Sequence, residues 1–225
     1  VVAVLNAAVA LYIYTLVPEF LMRFIVWMLI HSVYRLEKSG LERIPDQGGA
    51  VIVCNHVSFV DALVIAAACP RPIRFVMDHR IFRLPVLSFV FRTSRAIPIA
   101  PAREDPAMMA RAFEDVAQAL KDGDLVAIFP EGRITDTGEL YPFRPGITRI
   151  LEATPVPVVP VAHNAGELWG RNSFVKHPGT ITVSIGEPID PTGMEAGELN
   201  AKVETWIEDE MLRISKQSQQ NQKNP

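Results

Sequence analysis

Short apolar runs that alternate with helix-like segments are the feature that most limits how this chain can fold. The runs AVIVC at Ala50–Cys54 and LVAIF at Leu125–Phe129 are bounded by turn residues and are too short for helices, so each predicts a buried strand. Further strands are expected at Ile73–Met77, Ala96–Ala100, Val156–Ala162 and Thr180–Ile185. Strands that alternate with helices predict an α/β fold with a mostly parallel central sheet flanked by helices.

The segments between these strands carry helix signals. Pro106–Lys121 begins with proline, has an apolar stripe and is followed by Gly123, which predicts an amphipathic helix. Other helices are expected at Asp61–Ala68, Ile81–Phe91, Gly146–Glu152 and Glu195–Ile214. We expect one domain over residues 40–214 and a disordered polar tail over residues 215–225.

The N-terminal segment is unusually apolar. Between Val1 and Tyr34 only Glu19 and Arg23 are formally charged, and Pro18 interrupts the helical pattern. The apolar stretches on either side of Pro18 are shorter than the roughly 20 residues that a spanning helix needs. We therefore expect residues 1–39 to hold an N-terminal hydrophobic helical pair that lies in one membrane leaflet.

Two other interpretations of this segment stay open: a single spanning helix, and a buried helical hairpin in a soluble core. A signal peptide is disfavoured because the segment has no basic start and no small-residue cleavage site. Arg35, Lys38 and Arg43 follow closely and predict that the remainder lies on the cytoplasmic side of the membrane.

Composition excludes several classes of protein. A chain of 225 residues with 49% hydrophobic content is neither disordered nor disulfide-rich, since it has only two cysteines. The net charge of −3 gives no basic surplus for binding nucleic acid.

Charge is unevenly distributed along the chain. Arg71–Arg103 holds seven arginines and one acidic residue, which suits an anionic head group, a nucleotide-bearing cofactor or an acidic carrier protein. Arginines on unrelated faces would give the same count.

The strongest chemical signal is the sequence NHVSFVD from Asn55 to Asp61, which begins where a predicted strand ends and opens a helix. A turn there brings the Asp61 carboxylate back to one ring nitrogen of His56 and leaves the other nitrogen as a general base. Ser58 or Asp61 acting only as a helix cap, with His56 a satisfied polar residue, is the alternative interpretation.

A second signal, FPEGR, follows the predicted strand Leu125–Phe129. Glu131 and Gly132 would share the sheet edge with His56, Arg133 could grip a phosphate, and Arg144 follows shortly before a predicted helix start. The sequence has no G-x-S-x-G nucleophile elbow, no G-x-x-x-x-G-K-[ST] loop and no H-E-x-x-H, and its cysteines and histidines show no metal-ligand spacing.

These residues resemble the glycerolipid acyltransferase family, the PlsC-like lysophospholipid acyltransferases. His56 and Asp61, with Asn55 and Ser58, match the family's N-H-x-S-x-x-D block, and FPEG matches its third block. The strand VPVVPV with Pro160 matches the fourth block. The sequence from Cys54 to Pro106 is most similar to the acyltransferase portion of bacterial 2-acylglycerophosphoethanolamine acyltransferases, so we expect further domains in a longer chain.

Two positions depart from the family pattern. The family continues F-P-E-G with Thr-Arg-Ser, whereas Arg133 follows Gly132 directly here. The second block of the family ends in arginine after an apolar strand, and here Arg103 is the nearest substitute. Both changes favour an acceptor whose head group is esterified over one with a bare phosphate monoester.

The resemblance implies transfer of a fatty acyl group from acyl carrier protein or coenzyme A to a lysophospholipid hydroxyl at the inner membrane, with no bound cofactor and no metal. His56 would be the base, oriented by Asp61. The expected substrate-binding residues are Asn55, Ser58, Arg103, Glu131, Gly132, Arg133, Arg144 and Pro160. A lipid or thioester hydrolase with the same pair, and a non-catalytic lipid-binding membrane module, are the competing hypotheses.

Overall fold

A seven-stranded sheet organises the chain in the computed structural model, which describes residues 2–16, 18–169 and 179–223. The strands lie in the order β1-β7-β6-β2-β5-β3-β4, and every neighbouring pair is parallel except β6 and β7. The strands are β1 (Tyr34–Ser39), β2 (Ala50–Cys54), β3 (Ile73–Asp78), β4 (Ile97–Ile99), β5 (Leu125–Ile128), β6 (Val158–His163) and β7 (Gly179–Ile185). The predicted α/β fold with a mostly parallel sheet is confirmed.

Helices cover both faces of the sheet. They are α1 (Val2–Leu16), α2 (Pro18–Val33), α3 (Asp61–Ala68), α4 (Pro85–Thr93), α5 (Pro106–Lys121), α6 (Gly146–Ala153), α7 (Ala165–Leu168) and α8 (Ala196–Lys223). Side chains of α2 and α3 pack on one face, and side chains of α5, α6 and α8 pack on the other. The result is a three-layer arrangement with the sheet in the middle.

The alternation of side chains along β2 feeds both cores. Ile52 and Cys54 point into the core under α2 and α3, whereas Val51 and Val53 point into the core under α5 and α8. All four side chains are at most 1% exposed. A strand buried on both faces explains why this segment has no polar residue, as is usual for parallel sheets.

Proline accounts for one difference from the prediction. A single helix was expected over Ile81–Phe91, but the structure has a 3₁₀ turn at His79–Arg83 and then α4, which begins at Pro85. Pro85 has no backbone N–H to donate within a helix, so it starts a new helix and ends the preceding one.

Strand β1 is the second difference. The sequence predicts that residues 34–39 belong to the N-terminal helical region, but they pair in parallel with β7 over their whole length. Tyr34 is buried, whereas Arg35, Lys38 and Ser39 are exposed on this edge strand, so the apolar pattern is weak. The boundary that the sequence predicted between residues 39 and 40 is therefore wrong, because the sheet begins at Tyr34.

The C-terminal helix is longer than predicted. Helix α8 continues to Lys223, so the predicted disordered tail is wrong over residues 215–223. Ile214 is 1% exposed and is its last fully buried apolar anchor. The lysines and glutamines beyond it favour helix and need no packing partner to extend one already formed.

The N-terminal helices present many exposed apolar side chains. Leu5 and Leu11 of α1 are both 63% exposed, and Trp27 and Leu29 of α2 are 47% and 52% exposed. On the opposite side of α2, the side chains of Met22, Val26 and Ile30 are buried. Within the described residues, none of the helices combines the length and apolar character required to cross a bilayer.

The close packing of Gly49, just before β2, against the end of α5 predicts an effect on stability. A Cβ on Gly49 would lie 2.2 Å from the carbonyl oxygen of Leu120, so Gly49→Ala must push backbone apart. We expect it to lower the free energy of unfolding by about 1–3 kcal/mol, as measured by chemical denaturation. Gly197→Ala is the control, because no atom lies within 4 Å of its Cβ position. Equal stability of the two variants would contradict this packing constraint.

Candidate active site

Three neighbouring strands bring the candidate residues to one edge of the sheet. Strand β2 pairs in parallel with β5 on one side and β6 on the other. His56 and Glu131 follow β2 and β5, and His163 is the last residue of β6. The carboxyl edge of an open α/β sheet is where such folds bind ligands. The parallel pairing therefore assembles the site from segments far apart in the sequence.

His56 and Asp61 form the predicted pair. Nδ1 of His56 lies 2.9 Å from Oδ2 of Asp61. The His56 side chain is 22% exposed and that of Asp61 is 0% exposed. The carboxylate thus fixes Nδ1 as the protonated nitrogen, and Nε2 is left with a lone pair that can accept a proton.

Asp61 also builds the turn that carries His56. Its Oδ2 accepts hydrogen bonds from the backbone N–H groups of Val57 and Ser58, at 2.8 Å and 2.9 Å. Asp61 is the first residue of α3, so the carboxylate folds back over the three residues before the helix. One carboxylate therefore shapes the turn and orients the ring. The role of His56 as a general base stays a prediction.

Glu131 holds the backbone of His56 and not a ligand. Its Oε1 accepts from the His56 N–H at 2.6 Å, and its Oε2 accepts from the Tyr141 N–H at 3.0 Å. The residue is 2% exposed, and this burial raises the pKa of Glu131 to about 7. The predicted role of Glu131 in binding the acceptor is replaced by a positioning role.

The loop after β5 encloses His56 from further sides. The Phe129 ring stacks on the His56 ring with 4.3 Å between centroids. The Thr135 N–H donates to the His56 carbonyl oxygen at 2.8 Å. Both backbone polar groups of His56 are thus bonded to this one loop, which fixes where the imidazole projects.

Asn55 and Ser58 are buried structural residues, although the sequence placed them in substrate binding. The Asn55 amide donates to the His163 carbonyl at 2.9 Å and accepts from the His163 N–H at 3.0 Å. The Ser58 hydroxyl donates to the Trp169 carbonyl at 2.6 Å. Both side chains are 0% exposed, so neither is open to a substrate. Their polar groups bind neighbouring segments of the site together.

Gly132, Arg133 and Arg144 are exposed residues of the loop after β5. Gly132 has a φ of 67°, a backbone conformation that favours glycine, and the Arg144 guanidinium lies 2.8 Å from where its Cβ would be. The Arg133 guanidinium lies over the Tyr141 ring at 4.1 Å from the centroid. Two solvent-exposed cations therefore lie on the loop whose first residues hold His56.

Arg103 and Pro160 are not brought to His56. Arg103 is exposed after β4, and β5 and β3 separate that strand from β2. Pro160 is buried within β6, where its ring lies beside Gly186 and faces the core under α8. The predicted substrate contact at Pro160 is therefore wrong, because the side chain points to the far face of the sheet.

The basic run from Arg71 to Arg103 is not one patch. Arg71 donates to the carbonyls of Pro45, Gly48 and Gly123, so it closes loops of the fold. Of the remaining arginines, Arg74 and Arg95 pair with Asp124, and Arg80 pairs with Glu104. The interpretation that these arginines serve unrelated parts of the surface is the one the structure supports.

A cavity of about 960 Å³ lies beside the site, between the loop over residues 135–140, α7 and α8, and it includes His163. Among the described residues its lining carries four carboxylate side chains, on Asp136, Glu139, Glu167 and Glu208, and Asp136 also accepts a hydrogen bond from the Tyr141 hydroxyl. Arg133 and Arg144 are exposed on the neighbouring loop.

Comparison with known proteins identifies the fold and the family. The structure matches the crystal structure of the 1-acyl-sn-glycerophosphate acyltransferase PlsC from Thermotoga maritima with a TM-score of 0.77 and 22% identity, over 88% of this chain and 79% of that one. Residues 35–164 match the family model described as acyltransferase. The fold is thus that of a PlsC-type enzyme.

Relatives agree with this assignment. A 1-acyl-sn-glycerol-3-phosphate acyltransferase of Pseudomonas aeruginosa is 31% identical over 86% of this chain and 76% of its own length. A Cocos nucifera protein of the same description is also 31% identical, over 69% of this chain and 50% of its own length. The chain belongs to the acyltransferase family, and it is an acyltransferase. The narrower resemblance to 2-acylglycerophosphoethanolamine acyltransferases stays a prediction.

Two residues of the site were not singled out by the sequence analysis. His163 lies behind Asp61 at the end of β6, and Tyr141 donates its backbone N–H to Glu131. His163 had a usable signal, since it directly follows the predicted strand Val156–Ala162. Tyr141 had none, because its contribution comes from the backbone.

The raised pKa of Glu131 predicts a pH dependence of stability. Between its ordinary value of 4.5 and about 7, the folded protein keeps a proton on Glu131 that the unfolded chain releases. The free energy of unfolding contributed by this group therefore falls as the pH rises through that interval. Glu131→Gln removes the titrating group, so we expect a smaller stability difference between pH 5 and pH 7.5, measured by chemical denaturation at both values.

Glu114→Gln is the matched control, because Glu114 is an exposed carboxylate on α5. It should show the wild-type difference between the two pH values. An unchanged difference in Glu131→Gln would show that the Glu131 carboxyl does not titrate in this interval.

Proposed function

We propose that the chain is a membrane-associated acyltransferase that moves a fatty acyl group from an acyl thioester to the free hydroxyl of a lysophospholipid. The observation that carries this proposal is the His56–Asp61 pair at 2.9 Å, with the ring partly exposed at the edge of the sheet. Relatives described as 1-acyl-sn-glycerol-3-phosphate acyltransferases support the acceptor class.

The proposed reaction steps follow from the tautomer of His56, in which Nδ1 carries the proton and Nε2 is free to accept one. Nε2 of His56 takes the proton from the acceptor hydroxyl while the hydroxyl oxygen attacks the thioester carbonyl. The C–S bond then breaks, and the imidazolium returns the proton to the departing thiolate. The products are an ester and a free thiol. Asp61 stabilises the imidazolium that exists between these steps.

General-base catalysis supplies about 10²–10⁴-fold of the rate enhancement, so substrate positioning must contribute much of the remainder. Arg133 and Arg144, with Arg103 farther along the edge, are exposed cations that suit the acceptor phosphate. Among the described residues none of these three is paired with a carboxylate. The departures from the family pattern at Arg133 and Arg103 support an acceptor whose phosphate carries an esterified head group.

The donor in this proposal is acyl carrier protein or coenzyme A carrying the fatty acyl thioester. Both are substrates, so no bound cofactor is required. An assay that supplies the same acyl chain on each thiol separates the two, because the preferred donor gives the higher kcat/KM.

The N-terminal helices dock the enzyme on the cytoplasmic face of the inner membrane in this proposal. Exposed apolar side chains on α2, among them Trp27, Met28 and Leu29, support insertion into one leaflet. The other side of α2 contacts α3, the helix that begins at Asp61. A docked α2 therefore brings the His56 edge close to lipid substrates.

His56→Ala should abolish transfer while the protein stays folded. The side chain is partly exposed, so its loss removes the base with little effect on the core. The assay follows labelled acyl thioester with and without lysophosphatidic acid or lysophosphatidylethanolamine, and circular dichroism reports folding. His79→Gln is the control, because His79 lies outside the site.

Each other outcome of this assay has a defined meaning. Near-wild-type transfer by folded His56→Ala would exclude His56 as the base. Thioester loss that needs no acceptor would identify a hydrolase. No turnover by the wild-type protein across both acceptors and both donors would favour a non-catalytic lipid-binding module.

A double variant tests the membrane proposal without removing α2 from the core. Trp27→Glu combined with Met28→Glu places two charges on the exposed side of α2 and leaves the buried Val26 and Ile30 intact. We expect at least tenfold weaker co-sedimentation with anionic liposomes, because a buried charge opposes insertion. Leu212→Glu, an equally exposed position on α8, should bind as the wild type does. Undiminished binding of the double variant would refute docking through α2.

A further inference from the structure

One oxygen of Asp61 and one ring nitrogen of the neighbouring His163 are buried and face each other, and neither has a hydrogen bond within the described part of the chain. Oδ1 of Asp61 and Nε2 of His163 have no hydrogen-bond partner among the described residues. They lie 3.8 Å apart. Both side chains are 0% exposed, and both atoms are buried. An unpaired polar group in a buried site is costly, and a carboxylate oxygen more so than a neutral group.

The other contacts of His163 determine which nitrogen carries its proton. Nδ1 faces the backbone N–H of Ala165 at 3.4 Å, so Nδ1 is the acceptor. Burial lowers the pKa of His163, which favours the neutral ring. A neutral ring with an acceptor at Nδ1 has its proton on Nε2. The N–H group of His163 therefore points toward the Asp61 oxygen that lacks a partner.

We propose that His163 is a positioning residue for the His56–Asp61 pair, and that its Nε2–H donates to Oδ1 of Asp61 in the working enzyme. The present separation is roughly 0.9 Å longer than a usual N–H···O distance. Catalytic hydrogen bonds are often long in a free enzyme and tighten when substrate binds. This role rests on the proposed acyl transfer, because His163 acts only through Asp61.

The hydrogen bonds to Asp61 are unevenly distributed over its two carboxylate oxygens, which explains why a donor to Oδ1 is useful. Oδ2 of Asp61 accepts hydrogen bonds from the His56 ring and from two backbone N–H groups. The hydrogen bonds to this carboxylate are therefore concentrated on one of its two oxygens. A donor on Oδ1 fixes the rotation of the carboxylate plane and stabilises its charge. Asn55 assists, because its amide joins the end of β2 to the backbone of His163 at both polar groups.

Kinetics of two His163 variants separate positioning from packing. His163→Leu keeps an apolar side chain and removes the N–H, whereas His163→Gln keeps an N–H near the position of Nε2. We expect His163→Leu to lower kcat about 10–100-fold, as other partners that orient a functional histidine do, with KM for the lysophospholipid within about twofold. His163→Gln should recover most of the lost kcat.

Val161→Ala is the matched control for damage to the core. Val161 lies two residues earlier on β6 and is 2% exposed, so the substitution opens a cavity without changing a polar group. Its kcat per folded molecule should equal that of the wild type. A loss of kcat equal to that of His163→Leu, or equal losses in His163→Leu and His163→Gln, would overturn the proposal. So would an unchanged kcat in His163→Leu.

A spectroscopic readout keeps this test independent of the acceptor. In the wild-type protein labelled with ¹⁵N-histidine, NMR correlations should show His163 as the neutral ring protonated at Nε2, with Nδ1 unprotonated. A ring protonated at Nδ1 would overturn the proposal even in an active enzyme. Absence of acyl transfer by the wild-type protein would instead count against the proposed function, with the tautomer still measured.

Discussion

Strand β2 runs parallel between β5 and β6, and this pairing decides where the polar groups of the site meet. Ile52 lies opposite Ala127 on one side and Val159 on the other, so the three strands end at the same edge. A shift of one residue in either pairing would turn the following side chains to opposite faces. The dry cores on both faces of β2 hold this register, since every side chain of the strand is buried.

Two buried carboxyl groups then fix the position of His56. Asp61 bonds the ring of His56, and Glu131 bonds its backbone, while neither carboxylate is exposed enough to meet a substrate. The cost of burying them is offset by backbone N–H donors, which serve charges without needing partners of opposite sign. His56 is therefore held in place through its ring and through its backbone, and such preorganisation is what the proposed general-base role requires.

The sequence predicted the layers and the pair His56–Asp61 because both depend on local patterns. The sequence predicted less well the roles of residues whose contacts depend on the direction in which the side chain points. Asn55 and Ser58 match a family block, but their side chains turn inward and join β2 to β6 and to Trp169. Pro160 likewise matches a block and faces the core under α8. A motif fixes which residue is present, and only packing decides which way its side chain points.

The sequence by itself determined a mostly parallel sheet, a histidine and an aspartate at a strand end, and two unusually apolar N-terminal stretches. These properties follow from periodicity and spacing, which act over a few residues. Only the tertiary structure decided that β1 lies at one edge of the sheet, that Arg71, Arg74, Arg80 and Arg95 bind separate partners, and that His163 lies behind Asp61. Those outcomes depend on contacts between segments that are distant in the sequence, from Arg80 with Glu104 to Asn55 with His163, which no local pattern encodes.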